Sequence, residues 1–85
     1  MMLKLRYAKS FLRDLEHLEL EDRRYIYKFV FEDVPKISKI QELPDLHPIG
    51  SGGMFYRFTV SNYLIGLEVI GDIIKFLRVL PKPTF

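Results

Sequence analysis

Apolar and polar positions alternate with a period of two from Met54 to Leu80, in three runs separated by Ser61-Asn62 and Gly71-Asp72. Aromatic and β-branched residues dominate each run, as a half-buried pleated surface favours, and Gly71-Asp72 has the composition of a two-residue type I′ or II′ hairpin loop. The pattern predicts three consecutive antiparallel strands. If the two dipeptides are the loops, Val60 faces Tyr63 and Ile70 faces Ile73, and counting outward assigns each side chain to a face. Tyr56, Phe58, Val60, Tyr63, Ile65, Leu67, Val69, Ile74 and Phe76 share one face, which reads as core. The opposite face carries Phe55, Arg57, Thr59, Leu64, Gly66, Glu68, Lys75, Leu77 and Val79. Its mixture of charge and apolar surface marks it as the face where function is expected.

Earlier in the chain, Leu3, Leu5 and Tyr7 alternate with Lys4 and Arg6, which predicts a short strand that joins the sheet. The period then changes. Phe11, Leu12, Leu15 and Leu18 fall on one side of a helix with Arg13, Asp14, Glu16 and His17 on the other, and Ser10 is the expected N-cap. Glu19-Leu20-Glu21-Asp22 supplies negative charge at the start of a second helix, where it meets the positive end of the helix dipole. Ile26, Phe29, Val30 and Val34 form the apolar stripe of that helix, and Pro35 is expected to end it. Residues 36–53 contain Pro44, Pro48, Gly50, Gly52 and Gly53 with little periodicity, and read as a long connection with a helical turn at Ser38–Leu43. Together these elements predict an α+β fold of order β-α-α-β-β-β. A helical hairpin covers one face of a small, mainly antiparallel sheet, and residues 1–85 form a single domain.

Composition narrows the function. A hydrophobic share of 48% and a charged share of 28% are ordinary for a soluble globular chain, and no apolar run approaches the ~20 residues of a membrane span. There are no cysteines, so neither a disulfide framework nor a thiolate metal site is available, and the N-terminus lacks the apolar core of a signal peptide. No membrane association is expected, and the expected compartment is the cytoplasm. Residues 1–50 balance nine Lys and Arg against nine Asp and Glu, so the net charge of +2 comes from Arg57, Lys75, Arg78 and Lys82 set against Glu68 and Asp72. A basic surface on the sheet half suits a phosphate backbone or an acidic partner. His17 and His47 lie in different contexts and read as a solvated helix residue and a loop residue, and neither a metal nor a cofactor is expected. Gly50-Ser-Gly-Gly lacks the spacing and following helix of a phosphate-binding loop. Glu68 and Lys75, opposite each other in the register above, read as a cross-strand ion pair.

Taken in order, three segments resemble the RelE/ParE superfamily of toxins, especially its RelE-like branch. Tyr7-Ala-Lys-Ser-Phe-Leu-Arg-Asp-Leu15 is similar to the family's first helix after a short strand, Phe55 to Val69 to its strand pair containing Tyr-Arg and Tyr-Arg-Ile-Gly, and Ile74 to Leu80 to its last strand. The resemblance implies the toxin of a toxin–antitoxin pair, which cleaves messenger RNA in the ribosomal decoding site without metal, the ribose 2′-hydroxyl attacking the adjacent phosphate. It further implies a cognate antitoxin as partner, with the ribosome and messenger RNA as targets. Position by position, Arg57 matches one catalytic cation of the family and Lys82 approximately matches another. Thr59 and Leu64 stand where cations are usual, and Phe85 stands near a usual Tyr, so a reduced catalytic set is expected. The alternative is a toxin-fold protein that only binds, either an antitoxin-like peptide or, as ParE-like members do, gyrase. Leu64, Leu77 and Val79, with Lys75 at the rim, are the expected partner-binding patch.

Overall fold

The computed structural model describes residues 3–83, which form a five-stranded mixed sheet covered on one face by helices. In chain order come β1 (Lys4–Tyr7), α1 (Lys9–Glu16), α2 (Leu20–Lys28), β2 (His47–Ile49), β3 (Phe55–Val60), β4 (Tyr63–Ile70) and β5 (Ile73–Pro81). The sheet order is β1-β5-β4-β3-β2, with β1 parallel to β5 and every other pair antiparallel. Both hairpin turns lie where the sequence puts them. Val60 pairs with Tyr63 and Ile70 with Ile73, and Ser61 and Gly71 take the left-handed conformation at φ of 54° and 60°, as primed turns require.

The expected core face is buried. Phe58, Ile65, Leu67, Ile74 and Phe76 are fully inaccessible and pack against Phe11 and Leu15 of α1, Ile26 of α2, and Val30 and Val34 beyond it. Tyr7 on β1 stacks on Phe76 with ring centroids 5.2 Å apart. The N-cap of α1 is Ala8, two residues before the expected Ser10, and Ser10 makes no cap. Leu12, expected on the apolar side of α1, is 42% exposed, because Phe11 and Leu15, four residues apart, set the buried stripe. After Lys28 the helical path widens into a π turn (Phe29–Asp33) and tightens into a 3-10 turn (Val34–Lys36) that holds Pro35 and ends at Ile37. Pro35 thus sits in the first turn of the 3-10 segment, where a missing N–H is tolerated.

Two features depart from the expected order. The connection 36–53 contains the anticipated helical turn, at Ile40–Glu42, where the Glu42 carboxylate accepts the Ser38 and Lys39 amides. It also contains β2, a three-residue edge strand where the pattern predicts only a loop. The second departure is a β-bulge in β5. Leu67 pairs with Phe76, but Gly66 pairs with Arg78 and Ile65 with Val79, so Leu77 is the extra residue. A bulge exchanges the faces of everything beyond it. Val79, expected on the outer face, is therefore a core residue at 3% exposure, and Leu80 takes its place outside, opposite Leu64. Glu68 and Lys75 do face each other, but the ion pairs among the described residues are His47–Asp45 and Arg78–Asp14. No helix of the described residues is long and apolar enough to cross a membrane.

Candidate functional site

With the helices on one face, the other face of the sheet is open, and strand register brings its side chains into rows. His47 of β2 stands opposite Arg57 of β3, Arg57 opposite Gly66 of β4, and Gly66 opposite Arg78 of β5. In the next row Thr59 faces Leu64, and Leu64 faces Leu80. Gly66 adds no side chain between the two arginines, so the row keeps a shallow floor.

At the β2 end of these rows a cleft of about 400 Å³ is lined by Asp45, His47, Arg57, Thr59, Leu64, Lys82 and Pro83. Its wall is built from the turn before β2. Asp45 adopts φ of 53°, a left-handed conformation that Asp tolerates better than most residues. That turn aims its carboxylate back over the sheet, where one oxygen accepts the His47 ring N–H at 2.9 Å and the other accepts the Thr59 hydroxyl at 2.8 Å. The Thr59 amide fixes the same turn by donating to the Pro44 carbonyl at 3.1 Å. The Thr59 and His47 hydrogen bonds, with the nearby charge of Lys82, hold the Asp45 carboxyl below its ordinary pKa, so it is an anion at neutral pH. When the His47 Nε2–H is donated to Asp45, Nδ1 keeps a free lone pair. The cleft thus holds a carboxylate-oriented imidazole beside the guanidinium of Arg57 and the ammonium of Lys82.

A second, apolar groove of about 270 Å³ adjoins the cleft and shares Arg57 and Leu64 with it. Ile49, Phe55, Leu77 and Leu80 supply most of its apolar wall, and Arg78 closes one side. Arg78 is not a free cation, because its guanidinium reaches over the edge of the sheet to Asp14 of α1 with bonds of 2.6 and 3.1 Å.

The sequence-expected residues divide among these places. Arg57 and Lys82 come together in the cleft, Leu64 borders both concavities, and Leu77 lines the groove. Lys75 is exposed on the outer face but lines neither, and Val79 is buried on the other side. Phe85 lies outside the described residues. Sequence reasoning missed His47, Asp45 and the role of Thr59. Pro48 was a signal for the sheet edge, since Pro in a strand is confined to edges, but the pairing of Asp45 with His47 comes from the left-handed turn before β2.

A curated relative, the toxin RelE3 of Methanocaldococcus jannaschii, is 38% identical over 83 residues, covering 96% of this chain and 93% of the relative. The chain belongs to the RelE toxin family. Among solved structures, a chain of the RelB–RelE antitoxin–toxin complex from Methanococcus jannaschii matches this RelE protein at 38% identity and a TM-score of 0.70, over 89% of this chain and 88% of that one. The toxin–antitoxin complex RelBE2 from Mycobacterium tuberculosis contains a chain that matches with a TM-score of 0.75 over 96% of this chain and all of its own, and at 16% identity that likeness shows the RelE fold alone. No protein-family model matches the chain.

Proposed function

We propose that this RelE-family protein is the toxin of a toxin–antitoxin pair and that it cleaves messenger RNA on the ribosome through the cleft around Arg57. The observation that carries the reading is the gathering of His47, held by Asp45, with Arg57 and Lys82 in one concavity of the outer sheet face. In such a cleavage the ribose 2′-oxygen bonds to the adjacent phosphorus, its proton leaves to a base, and the bond to the 5′-oxygen breaks, that oxygen taking a proton from water to leave as a 5′-hydroxyl and the other product being a 2′,3′-cyclic phosphate. His47 is the base, oriented by Asp45. Proton transfer by a positioned side chain contributes about 10²–10⁴-fold. Arg57 and Lys82 hold the phosphate and stabilise the charge that grows on it, as cationic clamps do in other phosphoryl transfers. Thr59 and Leu64, where the family usually has cations, leave a smaller clamp, and His47–Asp45 supplies chemistry that the matched positions alone do not.

The partner is a cognate antitoxin, supported by the 38%-identical relative whose structure is an antitoxin–toxin complex. An amphipathic segment carrying acidic residues fits the apolar groove. Its apolar side chains would meet Leu64, Leu77 and Leu80, and a carboxylate would reach Arg57, so the bound antitoxin would cover a cation that the reaction needs. Apolar anchors in such a groove supply most of the affinity, while rim charges govern the association rate. The whole chain acts as one domain, in the cytoplasm where ribosomes translate.

Expression of the protein should arrest growth, and co-expression of the antitoxin should restore it. Leu80→Asp, which alters the groove but not the lining of the cleft, should keep the arrest and lose the rescue. Rescue of that variant equal to wild type would remove the groove from the antitoxin interface.

A further inference from the structure

The bulge in β5 leaves backbone groups without strand partners, because β1 ends at Tyr7, opposite Phe76. Helix α1 takes over the edge from that point. The Ala8 amide donates to the Phe76 carbonyl at 2.9 Å, and the Ser10 hydroxyl donates to the Leu77 carbonyl at 2.7 Å. The Asp14 carboxylate accepts the Val79 amide at 2.9 Å and the Arg78 guanidinium through both of its oxygens. Ser10 and Asp14 are four residues apart, so they sit one above the other on the same face of α1. The Phe76 and Leu77 carbonyls and the Val79 amide are thus met from the helix.

The bulge decides which way the end of the strand faces. Simple alternation continued from Phe76 would turn Leu80 and Lys82 toward the helices and Val79 outward. With the extra residue, Val79 is core, Leu80 lines the groove and Lys82 lines the cleft. We infer that Ser10 and Asp14 are positioning residues: they hold the bulge in β5 and thereby deliver Leu80 to the apolar groove and Lys82 to the cleft on the opposite side of the sheet. Arg78 works in the same direction, since the unbulged alternation would point its charge into the core, and Asp14 gives that charge its partner. The consequence for RNA rests on the reading of the cleft given above, whereas the assignment of faces does not.

The absence of cysteine from the chain makes the face assignment directly readable with single-thiol reporters. With Ser10 and Asp14 intact, Leu80→Cys should react with a soluble thiol reagent at least ~10-fold faster than Val79→Cys, because a buried thiol reacts only when the structure opens locally. In a Ser10→Ala/Asp14→Ala background that ratio should fall towards unity, while Ile65→Cys, in the neighbouring core, stays protected. Labelling of Ile65→Cys would mean that the double variant has unfolded, in which case Ser10→Ala alone should still lower the ratio. An unchanged ratio in a folded variant overturns the inference.

A second readout follows Lys82. Binding of a short unstructured RNA is salt-dependent, and Lys82→Ala should reduce the slope of log affinity against log salt by about 0.7, as loss of one phosphate contact on a single strand does. Ser10→Ala/Asp14→Ala should cause the same loss, with no further loss when Lys82→Ala is added. Independent, additive losses would break the link from α1 to Lys82. If the unmodified protein does not bind the RNA, the reading of the cleft fails, and the labelling ratio still decides the face assignment.

Discussion

Thr59 illustrates how much a single side chain's role depends on its neighbours. By position it replaces a cation and so counts as a loss, yet in the structure its hydroxyl orients Asp45, which orients His47. Burial separates other residues just as sharply. Leu67 is fully buried among the aromatic core, whereas Leu77 lies at the bulge and is only partly covered. Leu67→Ala should therefore cost roughly 2–5 kcal/mol through lost burial and the cavity left behind, and Leu77→Ala much less. Denaturant melts of the two variants compare them, and a costlier Leu77 would contradict the assigned register. Residue roles were legible in the sequence wherever alternation ran unbroken, which is why nine core positions of β3, β4 and the first half of β5 face inward as expected. Val79 was misplaced because alternation alone contains no sign of an inserted residue. Gly66 was the available clue, since an isolated glycine within a strand often marks a bulge.

Among the elements, the two helices and the three long strands follow from periodicity and turn composition, and β2 does not. Three residues, all exposed and including Pro48, carry no alternation to detect, and only pairing with β3 makes them a strand. The contact between α1 and β5 was equally invisible, because a carboxylate on the polar side of a helical pattern looks solvated until the fold brings a strand edge beside it. That contact has a pH signature. Hydrogen bonding to Arg78, and secondarily to the Val79 amide, lowers the Asp14 pKa against the opposing effect of burial. A carboxyl whose native pKa lies below its unfolded value of about 3.9 stabilises the fold fully above that pH, and the contribution is lost as pH falls through the native value. Acid unfolding of Asp14→Asn should show the largest deficit relative to wild type above pH ~4, and the two stability curves should converge at lower pH. A deficit that stays constant down to the most acidic conditions would mean that the carboxylate charge is not what ties α1 to β5.

For the molecule as a whole, the fold divides labour between the two faces of one sheet. The helices bury one face and, through Ser10 and Asp14, also hold the edge of β5. The other face is thereby left open to carry cations, an Asp–His pair and an apolar groove side by side. Overall architecture and family were accessible from the sequence, because they rest on many residues acting together. Of the residues lining the cleft, Arg57 and Lys82 were singled out by resemblance, while His47 and Asp45 come together through a turn and an edge strand that only the folded chain creates. If this cleft cleaves RNA, messenger RNA cleavage on programmed ribosomes by wild type, His47→Ala and Arg57→Ala in parallel reads the activity directly. Wild type should cut in the decoding site and leave a 2′,3′-cyclic phosphate, and each variant should be slower by about 10²-fold or more. No cleavage by wild type, or cleavage undiminished by either substitution, would contradict the account.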